Sequence, residues 1–372
     1  MRDSLGRIAA SATRRDSVLS DLLFDLTSLH GMDRPVDEHP WNAAQAEHGH
    51  TGDVRAVAAG TSGGRPVFAS GGDDGTIRIW DAGTTDFVRV IEAHREPVRA
   101  VVFAGPGDDI LVSAGENGGV ERWDPATGER VGPPLRDAGP LAAARLGDRW
   151  FVAAAGADAR LRVWDVVTAE LHAEVGVRRE ATSIALSEVD GRLVALVIGG
   201  LRPDEKHWDD LAVGTLWDVA GGVELRKPIL MPDEGDVGAF GVLGGRPVAV
   251  HGIDAAKNEP DGWCRPEERA DLDVRDLATG DLLATFAQPG YGWNRAVALL
   301  TTRSGRSLAF SAGDHKVMAW DPATGGTVGP PHLWEFYTGE VSRLAVTELD
   351  GQIAIAACVD DQVCIWRAKD LN

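Results

Sequence analysis

The dipeptide Trp-Asp returns along this chain at near-regular intervals, and that return constrains the fold more than any other feature. It stands at Trp80-Asp81, Trp123-Asp124, Trp164-Asp165, Trp217-Asp218 and Trp320-Asp321. Two degenerate members complete the series: "LDVRD", with Arg275 at the Trp position, and "VCIWR", with Trp366 lacking its Asp. The seven anchors lie 43, 41, 53, 58, 45 and 46 residues apart. Two of them open nearly the same phrase, "WDPATGERVGPP" from Trp123 and "WDPATGGTVGPP" from Trp320. A catalytic site is needed once, whereas a phrase written twice belongs to a structural unit used at least twice.

Within a unit the pattern is strand-like. "TIRIWD" and "RLRVWD" alternate polar and apolar residues with the period of a strand that has two unlike faces. Short β-rich runs such as "RPVFAS" (65–70) and "DILVSAG" (109–115) lie upstream, separated from the Trp strand by Asp- and Gly-bearing turns. Each unit therefore reads as a four-stranded antiparallel meander, and a period of about 40–45 residues ending in Trp-Asp is that of a propeller blade. "WDPATG" then reads as the turn from third to fourth strand, with Pro presetting φ and Gly supplying a left-handed residue.

On these residues the chain resembles the WD-repeat β-propeller family, of a bacterial type with degenerate repeats, over roughly residues 36–372. The resemblance implies an all-β, seven-bladed β-propeller, preceded by a short N-terminal helical extension over 1–35. It also implies a hydrogen-bonded structural tetrad, which the first unit matches in full with His50, Ser70, Asp74 and Trp80. The second unit keeps His94, Ser113 and Trp123 but carries Asn117 for the Asp. Elsewhere Asp137, Arg178, Asp233 and Tyr337 stand about where the His belongs, so those blades are expected to hold mainly by packing. After Trp366 too little chain remains for a fourth strand, and the N-terminal strand that closes the last blade is expected within 40–49. In "SVLSDLLFDLTSLHG" (17–31), Leu19, Leu22, Leu23, Leu26 and Leu29 share one helical face. That helix reads as docked on the propeller's own surface or, alternatively, as an oligomerising element.

Charge and composition narrow the function. The formal net charge is −20, from 37 basic and 57 acidic residues, which disfavours nucleic acid or an anionic membrane as partner. Five of the basic residues are lysine, the bias of a GC-rich bacterial genome. No apolar run has membrane-spanning or signal-peptide length, and three cysteines without a CxxC pair fit a reducing compartment, so a cytoplasmic location is expected. No cofactor motif is present. "GTSGG" (60–64) matches GxSxG only formally, because it falls between strands instead of opening a helix. His207, His251 and Cys264 match no metal-ligand spacing, and no metal is expected.

Recognition is expected on one face. The long spacings come from insertions at 199–214 and 252–271, both in loops between second and third strands, so both project from the same end of the sheets. Trp208, His207 and Trp263 lie in these insertions, and Tyr291, Trp293 and Tyr337 in the inter-blade loops of the same end. These aromatics read as contact residues for a partner or as covers for the insertions' own small cores. "VRAV", "VRAV" and "NRAV" place Arg55, Arg99 and Arg295 alike in three blades, a place that the resemblance puts at the channel mouth. Three arginines there suit a carboxylate or an acidic peptide, with ion pairs to Asp53, Asp73 or Glu116 as the competing reading. The function expected is a non-catalytic protein- or peptide-binding scaffold. The alternative is an enzyme or small-ligand binder using the same face and channel mouth.

Overall fold

The computed structural model describes residues 48–371, apart from 117–118, 136–138, 178–179, 200–211, 226–228, 232–237, 244–245, 254–270, 277–278, 280, 288–295, 314–315, 330–333, 336–340 and 369–370. They lie in one compact unit, Trp41–Asn372. The chain forms seven antiparallel sheets, here numbered 1 to 7 in chain order, each with neighbouring strands in sequence order except that sheet 4 carries an extra short strand. Sheets 2 and 7 have three strands among the described residues. Of the fourth strand expected within 40–49 only residues 48 and 49 are described, and neither is in a strand; the rest of it and the helix expected at 17–31 lie outside the described residues.

The first strands are Val54–Ser62, Val98–Ala104, Leu141–Leu146, Ser183–Val189, Gly238–Leu243, Ala296–Thr301 and Val341–Leu349. Each lies beside the first strand of the next sheet, and the seventh lies beside the first. Seven apolar clusters repeat this order, one in each seam. Trp123 packs with Ile77 and Ile79 of sheet 1, Trp164 with Val112 and Val120 of sheet 2, and Trp217 with Phe151 and Leu161 of sheet 3. Trp320 packs with Phe286 of sheet 5, Trp366 with Phe310 of sheet 6, and Trp80 with Ala356 and Ile365 of sheet 7. The recurrent Trp is thus a wedge that every sheet but the fifth drives against the one before it. Its large apolar area explains why the sequence repeats it. The cyclic order, with sheet 7 packed on sheet 1, is the arrangement of a seven-bladed propeller.

The twice-written phrase builds the same turn twice. Asp124 Oδ1 accepts the Ala126 N–H at 2.7 Å, and Asp321 Oδ1 accepts that of Ala323 at 2.8 Å. Gly128 and Gly325 follow at φ 77° and 73°, left-handed values at which a side chain is strained. The chain then touches the Trp strand only at the bridges Trp123↔Arg130 and Trp320↔Thr327 before "VGPP" carries it away. Proline has no N–H to donate, so this phrase interrupts the hairpin, which closes again beyond it at Val120↔Leu135 and, in sheet 6, at Lys316↔Glu335 and Val317↔Trp334.

Cys358 and Cys364 illustrate what strand alternation does. They lie on adjacent strands but on opposite faces, Cys358 in the seam with sheet 1 and Cys364 in the seam with sheet 6. Both are free thiols, and burial pushes both up, Cys364 to about 12. They therefore cannot pair with each other, and both are expected to resist a thiol-specific disulfide reagent in the folded protein. Two thiols should become titratable only on denaturation. Reaction of either in the native state would mean that its seam opens.

Candidate functional site

The tetrad of sheet 1 is a directed chain of hydrogen bonds. His50 Nδ1 lies 3.0 Å from Asp74 Oδ1, and a carboxylate can only accept, so Nδ1 carries the proton. Nε2 is then the acceptor for the Ser70 hydroxyl at 2.9 Å, and Ser70 Oγ accepts the Trp80 indole N–H at 3.0 Å. Thr51 N and the Thr76 hydroxyl also donate to Asp74, at 3.0 and 2.8 Å. His50, Ser70 and Trp80 are buried. Burial pushes the Asp74 carboxyl up, but the donors of His50, Thr51 and Thr76 outweigh it and hold the group well below the usual carboxylate range. This is architecture, tying the inter-sheet loop to the Trp strand.

Asp74→Ala is expected to lower stability by about 1–3 kcal/mol, because it leaves the His50 N–H without its acceptor. The pH dependence follows from the depressed carboxyl. Its stabilisation is present above the unfolded value near pH ~4 and is lost as pH falls from there toward the folded value. Urea titrations should therefore show the gap between wild type and Asp74→Ala closing below about pH 4. A gap unchanged down to about pH 2 would assign the loss to packing alone.

Sheets 2, 4 and 6 keep the indole satisfied by related or different means. In sheet 2, Ser113 links His94 at 2.8 Å and Trp123 at 2.9 Å, and burial lowers the His94 ring's affinity for a second proton. In sheet 6, Ser311 accepts from Trp320 at 2.9 Å. In sheet 4 the acceptor is Thr215, two residues before Trp217 on the same strand, at 2.9 Å. In sheet 5, where Arg275 replaces Trp, the guanidinium donates to Asp273 at 3.0 Å. Asp273 is buried and also accepts the Thr285 hydroxyl at 2.7 Å.

Arg55 and Arg99 occupy equivalent irregularities. The register of sheet 1 shifts between Val54 and Ala56, and that of sheet 2 between Val98 and Ala100. Each arginine is thus the extra residue of a β-bulge, a device that re-aims a side chain at the end of a sheet. Sheet 7 carries the same shift between Val341 and Arg343, placing Ser342 there. "VSRLAV" has the outline of "VRAV", but serine at its second position hides the likeness in the sequence.

Both arginines are engaged. Arg55 binds Asp73 through two hydrogen bonds of 2.9 and 2.6 Å, and its Nη2 also lies 3.0 Å from Asp53. Arg99 donates to Glu116 at 2.5 Å and lies 3.6 Å from Asp73. The hydrogen bond from Arg55 holds the Asp73 carboxyl below its ordinary range. The result is an alternating row, Asp53–Arg55–Asp73–Arg99–Glu116, spanning the ends of sheets 1 and 2. The arginine side chains are 39 and 38 % exposed. The row is open to solvent yet internally neutralised apart from one carboxylate.

The remaining candidates lie outside the described residues: Arg295, Trp208, Trp263, Trp293, Tyr291, Tyr337 and His207, with most of both insertions. Among the described residues no group of His, Cys, Asp and Glu is placed to hold a metal, and no helix is long and apolar enough to cross a membrane. Sequence reasoning did not identify Arg122. It is buried in the third strand of sheet 2 and donates to the carbonyl oxygens of Val166 and Val167 in sheet 3, at 2.8 and 3.1 Å.

Comparison with known proteins agrees with this architecture. The family described as WD domain, G-beta repeat matches residues 44–81. The nuclear distribution protein nudF of Aspergillus niger is 27% identical over 172 residues, covering 44% of this chain and 39% of its own. A guanine nucleotide-binding protein subunit beta of Arabidopsis thaliana is 33% identical over 93 residues, 24% of each chain. The chain thus spans less than half the length of these relatives. Among solved structures, the crystal structure of the computationally designed Ika8 protein superposes with a TM-score of 0.52 at 20% identity, over 86% of this chain and 97% of that one, a likeness of fold. These relatives are fungal and plant proteins and give no support to a bacterial type.

Proposed function

We propose that this chain is a non-catalytic scaffold that holds a protein or peptide partner on the end of the sheets bearing loops 199–214 and 252–271. The observation that carries the reading is the pair of bulges that aim Arg55 and Arg99 at that end, in open positions. The resemblance to nuclear distribution proteins and to a G-protein β subunit supports a scaffold over an enzyme. A cytoplasmic location fits the reading.

An acidic segment of the partner would act by exchange. Asp73 is gripped by two guanidinium bonds, whereas Glu116 is 41 % exposed and bound by one arginine. A partner carboxylate replacing Glu116 on Arg99 keeps the row intact and frees one negative charge to solvent. Arg295, from the equivalent place in sheet 6, and Trp263 or Trp293 would complete the contact.

Because residues 199, 212–214, 252–253 and 271 belong to strands, the test is affinity capture from the native cell with the wild type, with a variant lacking 200–211 and 254–270, and with Arg55, Arg99 and Arg295 changed together to Ser. A partner held by the wild type should be lost with the loops, and its residual binding to the Arg variant should depend less on salt. The Arg variant should melt nearly as the wild type, since each exposed pair contributes only about 0–1 kcal/mol. The same proteins captured by all three would sink the assignment of this face.

A further inference from the structure

The opposite end of the sheets carries a second surface. Among the described residues, large exposed apolar side chains gather in three consecutive sheets: Val167 and Leu171 in sheet 3, Val223 and Leu225 in sheet 4, Leu282 and Leu283 in sheet 5. All six stand at the turn into the outermost strand or at its start. A meander puts those turns at the end away from the bulged arginines. Outside these sheets the same exposure recurs only at Val88 and Val90 of sheet 1, among the described residues. Single exposed apolar residues need no explanation, but concentration on one arc does. In sheets 2 and 6 the same stretch is "ERVGPP" and "GTVGPP", whose single valine, Val131 or Val328, is only partly exposed, so the turn itself does not demand fully exposed apolar side chains.

The charge beside the arc has a definite sign. Of the exposed arginines there, Arg145, Arg149 and Arg192 each lie within ion-pair distance of a carboxylate of their own sheet, Asp148 at 3.2 Å, Asp165 at 2.8 Å and Asp218 at 3.5 Å. Arg246 stands in the equivalent hairpin of sheet 5, against four further carboxylates. Glu170, Glu188, Asp190 and Asp281 are exposed on the same rim in addition to these. Glu170 directly precedes Leu171, and Asp281 directly precedes Leu282. The Gly147 N–H donates to Glu188 at 3.4 Å, which joins the hairpin ends of sheets 3 and 4 into one edge.

We propose that this rim of sheets 3 to 5 docks a cationic amphipathic segment of a protein partner, its apolar stripe on the leucines and valines and its Lys or Arg flanks on the carboxylates. Such a segment buries apolar area that the fold leaves in water, and it supplies the charge that the rim lacks. The surface is separate from the arginine face, so the fold offers two docking ends.

The probe is a labelled helical peptide of about 18 residues, roughly 27 Å long, with leucines in one stripe and lysines elsewhere. A permutation of the same residues without a stripe is the control, and binding to the full chain is read by anisotropy. The striped peptide should bind at least about tenfold tighter than the permuted one. Leu171→Ser with Leu282→Ser should abolish that difference, and Val223→Ser with Leu283→Ser should do the same. Val88→Ser with Val90→Ser should leave it intact. Equal binding of the two peptides would reduce the surface to unspecific charge, and a difference that survives both rim variants would place it elsewhere. Either result overturns the proposal. So does sedimentation showing a wild-type dimer that the rim variants dissolve, which would assign the arc to a second copy of the chain.

Discussion

Trp80→Ala is expected to lower stability by about 3–5 kcal/mol, the usual loss when a fully buried large aromatic side chain is removed. Trp80 has no exposed surface and sits in the seam where sheet 1 meets sheet 7. Its truncation opens a cavity against Ala354, Ala356 and Ile365, on strands whose backbones are held by their own ladders and can collapse only in part. It also removes the N–H donor to Ser70 and the edge-to-face contact with Phe87 at 5.6 Å. Trp80→Phe separates the two losses. It keeps most of the apolar volume but not the donor, and should cost about 1–2 kcal/mol. Urea denaturation of wild type and both variants gives the comparison. Equal midpoints for Trp80→Ala and Trp80→Phe would mean that the indole acts through its hydrogen bond and that the seam tolerates the void.

The sequence showed this wedge because packing demands the same large residue at the same strand position in nearly every sheet. The turn residues were legible for a related reason. Asp accepting two N–H groups ahead is a local requirement that neighbours cannot replace, and Gly meets the positive φ there without the strain that Thr85 and Ala169 carry at the same place. His50, Ser70 and Asp74 could be placed because the family resemblance implies such a tetrad in that order ahead of Trp80. Thr215 escaped notice because its bond to Trp217 runs along one strand, whereas the serines act from the strand beside it. Arg122 was hidden for a different reason. Its acceptors are carbonyl oxygens of the next sheet, and a carbonyl leaves no mark on residue identity. The arginines of the bulges were found by their repetition, but the neutralising row was offered only as a competing reading, since register shifts are invisible until strands are paired.

The seam between sheets 4 and 5 carries the second large effect. Every other seam receives a Trp from the following sheet, while this one receives Arg275, which faces Ala249 across the ladder. The apolar cluster here unites Leu196, Ile198 and Leu216 of sheet 4 with Ala249. A guanidinium needs an anion when it replaces an indole in such a place, and Asp273, 5 % exposed, supplies it at 3.0 Å. Arg275→Ala should therefore destabilise by about 3 kcal/mol, because it strands a buried carboxylate with only the Thr285 hydroxyl for support. Asp273→Ala with Arg275→Trp removes both charges and restores the wedge. That double variant should be as stable as the wild type or more so, by up to about 1–4 kcal/mol, since well-packed apolar residues often outdo a buried ion pair. The two together fix the sign of the argument. If Arg275→Ala and the double variant both unfold early, the seam needs its ion pair for shape, and the Trp positions are not interchangeable around the ring. If the double variant alone gains stability, the chain has kept a polar seam between the two sheets that bear its longest insertions, at a cost that packing alone would not impose.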